Sequence, residues 1–216
     1  MRRILIITLT LLVCVPLVAQ QKEITPDQLW AALVQGNKVF VAGAVSYNLL
    51  KQERDEFDEH QAPPITILSC SDSRVPPEIV FNQSLGVLFV VRSAGNVVDD
   101  FGLASIEYAL AMGYTKLIVV LGHENCGAVV ASLGGADPST PAMTALSMRI
   151  RSAFIGIPYD SRDPVNVQRA VEMNARAAAA SLLARSKLIR DAVATEKIKI
   201  VTANYDLNTG EVKRID

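Results

Sequence analysis

Cys70, His123 and Cys126 are the residues of this 216-residue chain best suited to chemistry. Two thiolates and one imidazole suit zinc, with a carboxylate or a water in a fourth position. The chain has only three cysteines and two histidines, so a metal site must draw on nearly all of them. The run His123-Glu124-Asn125-Cys126 lets imidazole and thiol reach one ion across a tight turn. Cys126 precedes a helical segment, whose N-terminal field favours a thiolate. In Cys70-Ser71-Asp72-Ser73-Arg74, Asp72 can point at the same ion and Arg74 can pair with Asp72. A plainer reading stays open at this point. Cys70 and Cys126 could form a disulfide, His123 could be a satisfied loop residue, and Asp72 with Arg74 an ordinary surface ion pair. The two loops taken together, each directly after an apolar run, favour the metal.

Those loops need elements to hold them. Short apolar runs at 65–68, 87–91 and 117–121 are rich in branched residues and lack polar alternation. That pattern predicts strands buried on both faces of a parallel sheet. The segments that carry Cys70, Arg92 to Asn96, and His123 to Cys126 follow these runs directly. In open α/β sheets, sites lie beyond the carboxyl ends of strands, so three polar loops converge on one edge.

Helices separate the strands. Thr25-Pro26-Asp27-Gln28 opens one with a capping box. A polar helix is predicted over 47–60, stopped by Pro63-Pro64. Others are predicted over 102–112 and 128–133, and the stretch 139–159 reads as mixed. Asp163-Pro164 starts a long Ala-rich helix to about Ser186, and a short helix ends near Thr195. A last strand covers 198–203, and Asn208-Thr209-Gly210 turns it into an edge hairpin over 211–215. The sum is an α/β fold: a central, mostly parallel β-sheet flanked by helices.

Hydrophobic residues make up 50% and charged residues 20%, a core-forming balance that excludes a disordered or fibrous chain. A net charge of −1 offers no broad basic field for nucleic acid. Residues 1–19 have the form of a secretory signal peptide: Arg2-Arg3, an apolar stretch too short to span a membrane comfortably, Pro16, and Ala19 before a cut. An uncleaved anchor is the other reading of that segment. The expected organisation is a signal peptide at 1–19 and one domain at 20–216, exported to a periplasm or secreted, without stable membrane association after cleavage.

Three motifs together resemble the β-class carbonic anhydrases: Cys70-Ser71-Asp72-Ser73-Arg74-Val75, Phe89-Val90-Val91-Arg92-Ser93-Ala94-Gly95-Asn96, and Gly122-His123-Glu124-Asn125-Cys126-Gly127. The resemblance runs from about Ile24 to the Asp206–Gly210 hairpin. It implies reversible hydration of carbon dioxide to bicarbonate and a proton by a zinc-bound hydroxide. It implies one zinc per chain on Cys70, His123 and Cys126, with Asp72 either taking the fourth site or held off it by Arg74. It further implies that Gln61 hydrogen-bonds substrate. Phe89 and Tyr108 would wall an apolar pocket lined by both subunits of a homodimer or homotetramer. Two competing readings remain: a non-catalytic exported domain stapled by a disulfide or a structural zinc, and an enzyme acting on another small heterocumulene such as carbon disulfide.

Overall fold

The computed structural model describes residues 24–45, 50–135 and 139–216. The signal-peptide reading of 1–19, and the first residues of the helix expected from Tyr47, lie outside the described residues.

Five strands form one sheet in the order β2-β1-β3-β4-β5: β1 (Ile65–Cys70), β2 (Leu88–Ser93), β3 (Leu117–His123), β4 (Lys199–Tyr205) and β5 (Val212–Arg214). The first four are mutually parallel where they pair, and β5 returns antiparallel along β4. The parallel strands need crossover connections, which the intervening helices supply. Every residue of β1 and of β3 is buried, as expected of a parallel sheet covered on both faces. In β3 the side chains alternate between layers. Leu117, Val119 and Leu121 join one core with Leu29, Leu33 and Phe81. Ile118 and Val120 join the other with Ile106, Ala178, Leu182 and Ile189. Burying each such side chain contributes about 1.5–3 kcal/mol.

The second strand departs from expectation. It is an edge of the sheet, paired only with β1, and its residues are half-buried or, at Arg92, exposed rather than enclosed on both faces. Its apolar run cannot by itself distinguish an edge from a centre, because strand order depends on distant crossovers.

The helices follow their local signals. In α1 (Pro26–Val41) the capping box of Thr25 and Gln28 is present as read. Buried Asn37 ties α1 to the rest: its Nδ2 donates to the carbonyls of Val80 (3.1 Å) and Gly210 (2.8 Å), and its Oδ1 accepts from the Val212 N–H (2.9 Å). Helix α2 (Leu50–Glu56) stops short of His60. Glu56, Asp58 and Glu59 put negative charge at its carboxyl end, where the helix dipole disfavours it. A single-turn α3 (Pro77–Val80) was not foreseen. Helix α4 (Asp100–Ala111), capped by Asp99, and α5 (Gly127–Leu133) fall where expected. The stretch read as mixed holds α6 (Pro141–Arg151), whose Thr140 cap and first-turn proline were legible signals. The long α7 (Pro164–Arg185) starts at the Asp163 cap, and α8 (Lys187–Ala194) follows on a Ser186 cap.

Candidate metal centre

Cys70 closes β1, His123 closes β3, and Cys126 lies at the N-cap of α5. The sheet is parallel here, so these strand ends share one edge. Between His123 and Cys126 the chain reverses through Asn125, whose φ is +50°. The asparagine side chain tolerates that left-handed conformation better than most. The result is a cluster of two sulfurs and one ring nitrogen, all within 4.8 Å of one another and all on buried residues.

Both cysteines are free, and their sulfurs are 3.8 Å apart. A disulfide would need about 2.05 Å. Two thiolates on a tetrahedral zinc at about 2.3 Å each would be about 3.8 Å apart, so the observed separation is that of a tetrahedral edge. The imidazole fits the same purpose. His123 is fully buried, and its Nδ1 lies 2.9 Å from the Glu124 carbonyl oxygen. A carbonyl only accepts, so Nδ1 carries the proton and Nε2 presents a lone pair. That Nε2 has no hydrogen-bond partner. A buried acceptor left bare is costly unless a ligand takes it, and a backbone carbonyl on the far nitrogen is the usual support of a metal-bound histidine. The donor set and its geometry therefore suit zinc.

The sulfurs are not equivalent. Its hydrogen bond with Cys126 lowers the Cys70 thiol to about 4, and the Gly95 N–H adds to this, against the cost of burial. Cys126 is pushed upward, because it supplies that bond and is itself deeply buried beside the Cys70 charge. The pair therefore favours a shared proton, with a thiolate more readily formed at Cys70 than at Cys126.

Asp72 faces the cluster from the loop after β1. Its Oδ2 lies 3.8 Å from His123 Nε2. Both of its oxygens are engaged by Arg74: Nε donates to Oδ1 (2.9 Å), Nη2 to Oδ2 (2.7 Å), and the Arg74 N–H to Oδ1 (3.0 Å). That guanidinium beside it holds the carboxyl well below the usual carboxylate range. Asp72 is thus an anion beside the cluster, tethered away from it, and the grouped donors are Cys70, His123 and Cys126.

Two supporting contacts were not foreseen. Arg92 on β2 donates to the carbonyls of Cys70 (2.9 Å) and Asp72 (2.6 Å), which pins the loop that carries both. Its position directly after an apolar run was the available signal. In the 3₁₀ turn Ala94–Asn96, the Gly95 N–H donates to Cys70 Sγ at 3.3 Å. Behind the cluster, Val129, Leu133, Ile150, Phe154, Val167 and Val171 make a buried apolar floor.

Gln61, Phe89 and Tyr108 are not brought to this cluster within one chain. Phe89 pairs with Thr66, four rows from the Cys70–Ser93 pair, or about 13 Å along the strand. Tyr108 on α4 packs on Phe89, with ring centroids 6.4 Å apart. Gln61 is exposed and precedes the amino end of β1, while Cys70 is at the carboxyl end.

A family model described as carbonic anhydrase matches residues 65–212. Carbonic anhydrase 2 of Mycobacterium tuberculosis is 36% identical over 187 residues, covering 86% of this chain and 90% of that one. The carbonic anhydrase of Mycolicibacterium smegmatis is 47% identical over 113 residues, 52% of this chain and 55% of that one. Among solved structures, a tetrameric β-carbonic anhydrase of Sordaria macrospora superposes with a TM-score of 0.68 at 25% identity, covering 88% of this chain and 97% of that chain. A Coccomyxa β-carbonic anhydrase gives 0.65 at 26%, covering 85% and 84%.

Proposed function

Because the chain belongs to the β-class carbonic anhydrases, enzymes of carbon dioxide hydration, we propose that it works with one zinc ion per chain, held by Cys70, His123 and Cys126. The observation that carries this reading is the buried, unpartnered Nε2 of His123 facing two free sulfurs at a tetrahedral spacing. When bound, zinc supplies a water acidic enough to act as the nucleophile near neutrality. The chain's own residues set the conditions. Glu124's carbonyl keeps the His123 proton on Nδ1 and so keeps Nε2 available. Asp72, kept ionised by Arg74, is an acceptor that can orient the attacking O–H, and the Arg74 contact holds its carboxylate off the fourth position. The apolar floor leaves carbon dioxide without polar competition, and the proton leaves to buffer.

A closed structural site would need Asp72 as a fourth ligand, and the bidentate Arg74 contact argues against that. Stopped-flow carbon dioxide hydration, with metal analysis of the same sample, tests the proposal. About one zinc per chain with hydration activity is expected. A metal-free protein with a Cys70–Cys126 disulfide would overturn it, and turnover of carbon disulfide in place of carbon dioxide would redirect the substrate.

Gln61, Phe89 and Tyr108 stand a strand's length from the cluster of their own chain. If they touch substrate, they do so from a second copy, which makes the working unit a homodimer or a homotetramer. The Sordaria macrospora relative is described as tetrameric. Export is part of the same reading, with residues 1–19 as the signal peptide and residues 20–216 as the mature domain. Among the described residues no helix is long and apolar enough to cross a membrane.

A further inference from the structure

We propose that Asn174, in the middle of α7, is a positioning residue for the metal centre: it holds the Gly95 turn so that the Gly95 N–H donates to Cys70 Sγ. The inference rests on the reading that Cys70 is a metal ligand.

Helix α7 turns an apolar face to the sheet, with Val171, Ala175, Ala178 and Leu182 buried along it. Asn174 lies on that face and is 4% exposed. An asparagine buried there is unfavourable unless its amide finds a partner. The partner is 79 residues away: Nδ2 donates to the Gly95 carbonyl at 2.7 Å. Leucine would fill the same space without that demand, so packing alone does not call for an amide.

Gly95 is a residue that needs such a tether. Its φ is +64°, and with no side chain its flanking peptides rotate more freely than those of any other residue. Two bonds fix them. The carbonyl is held by Asn174, and the N–H points at the Cys70 sulfur at 3.3 Å. A Cβ on Gly95 would lie 2.9 Å from Ile150 Cδ1, which leaves little room for a side chain to do the holding instead. A hydrogen bond to a thiolate draws charge from the sulfur and orients its remaining lone pairs. Release of the Gly95 carbonyl lets the turn swing and weakens that bond. Asn174 thereby acts on the metal through Gly95 and Cys70 without touching it, as outer hydrogen-bond partners of metal ligands do elsewhere.

The test uses the whole protein with two variants, Asn174→Ala and the volume-matched Asn174→Leu. Asn37→Ala serves as the control, because it removes an equally buried amide clamp on the opposite face of the sheet. Zinc affinity is measured by competition with a chromophoric chelator. Sulfur-to-metal charge-transfer absorption is measured on the cobalt-substituted protein. Both Asn174 variants should bind zinc about tenfold more weakly and shift the cobalt–thiolate band, while Asn37→Ala loses thermal stability with neither change. Wild type that takes up no metal would sink the metal reading itself. Wild type that binds zinc, with Asn174→Leu binding it equally and with an unmoved band, would sink this inference alone. So would an equal effect in Asn37→Ala. Failure of both Asn174 variants to fold also counts against it, since the bond would then be a support of the fold rather than a positioning contact.

Discussion

Replacing Gly95 with alanine should separate the backbone cost of its turn from its proposed service to the metal centre. Gly113 is the natural reference. Both residues have left-handed backbones, with φ of +64° and +76°. A Cβ on Gly113 would meet nothing within 4 Å, whereas one on Gly95 would lie 2.9 Å from Ile150 Cδ1 and 3.4 Å from Ala128 Cβ. Gly113→Ala therefore suffers only the left-handed penalty, about 1–2 kcal/mol. Gly95→Ala suffers the same penalty plus overpacking against Ile150, about 1–2 kcal/mol more because the clash is with a flexible methyl. At about 3 °C per kcal/mol for a domain of this size, melting should fall by about 4 °C for Gly113→Ala and about 9 °C for Gly95→Ala. The sharper difference is in metal binding. Relief of the Ile150 contact moves the turn whose N–H sits 3.3 Å from Cys70 Sγ, so Gly95→Ala should also bind zinc about tenfold more weakly. Gly113, at the far end of α4, should leave affinity untouched. Differential scanning fluorimetry with and without chelator, and a competitive zinc titration, read both quantities. Equal melting losses in the two variants, with zinc affinity unchanged in Gly95→Ala, would refute the reasoning.

Asp72→Asn should stay zinc-replete and lose most hydration activity, since the amide is no longer an anionic acceptor; unchanged stopped-flow rates would remove Asp72 from the mechanism. Arg74→Ala frees a carboxylate that already lies 3.8 Å from His123 Nε2, so the variant should be folded, zinc-loaded and inactive with Asp72 on the metal; a water-bearing zinc with normal turnover in its crystal structure would end the gating role. Near pH 7 Cys70, lowered to about 4, is already a thiolate, whereas Cys126 is raised and protonated. Loading zinc must displace that one proton, so affinity is retained at high pH and falls as pH drops, by about tenfold per unit. Calorimetry in buffers of different ionisation enthalpy should show release of about one proton, and release of none would contradict the charge assignment. Sedimentation equilibrium of the zinc-loaded protein should give two or four chains, and a monomer fully active on dilution would show that Gln61, Phe89 and Tyr108 are not needed from a second copy. Intact mass of protein recovered from a host envelope should correspond to a cut near Ala19; a full-length cytosolic species would rule out export.

The amino-acid order by itself determined what short-range physics can encode. Thr25 with Gln28, Asp163 with Pro164, and the branched run of β3 announce themselves within a few residues, because capping and burial periodicity are local. The donor set was equally legible, since Cys70 and the His123–Cys126 pair each follow an apolar run that had to be a strand. Three-dimensional structure alone decided what depends on distant partners. Strand order made β2 an edge, although its run reads like that of β3. The Glu124 carbonyl chose the His123 tautomer, and the Arg74 contact placed Asp72 beside the cluster rather than in it. Asn174 looked like one more polar residue in an Ala-rich helix until folding set it against Gly95, 79 positions away. Gln61, Phe89 and Tyr108 went to the other end of the sheet, because a strand carries its residues about 3.3 Å further with each step and no local pattern says which end will face the chemistry.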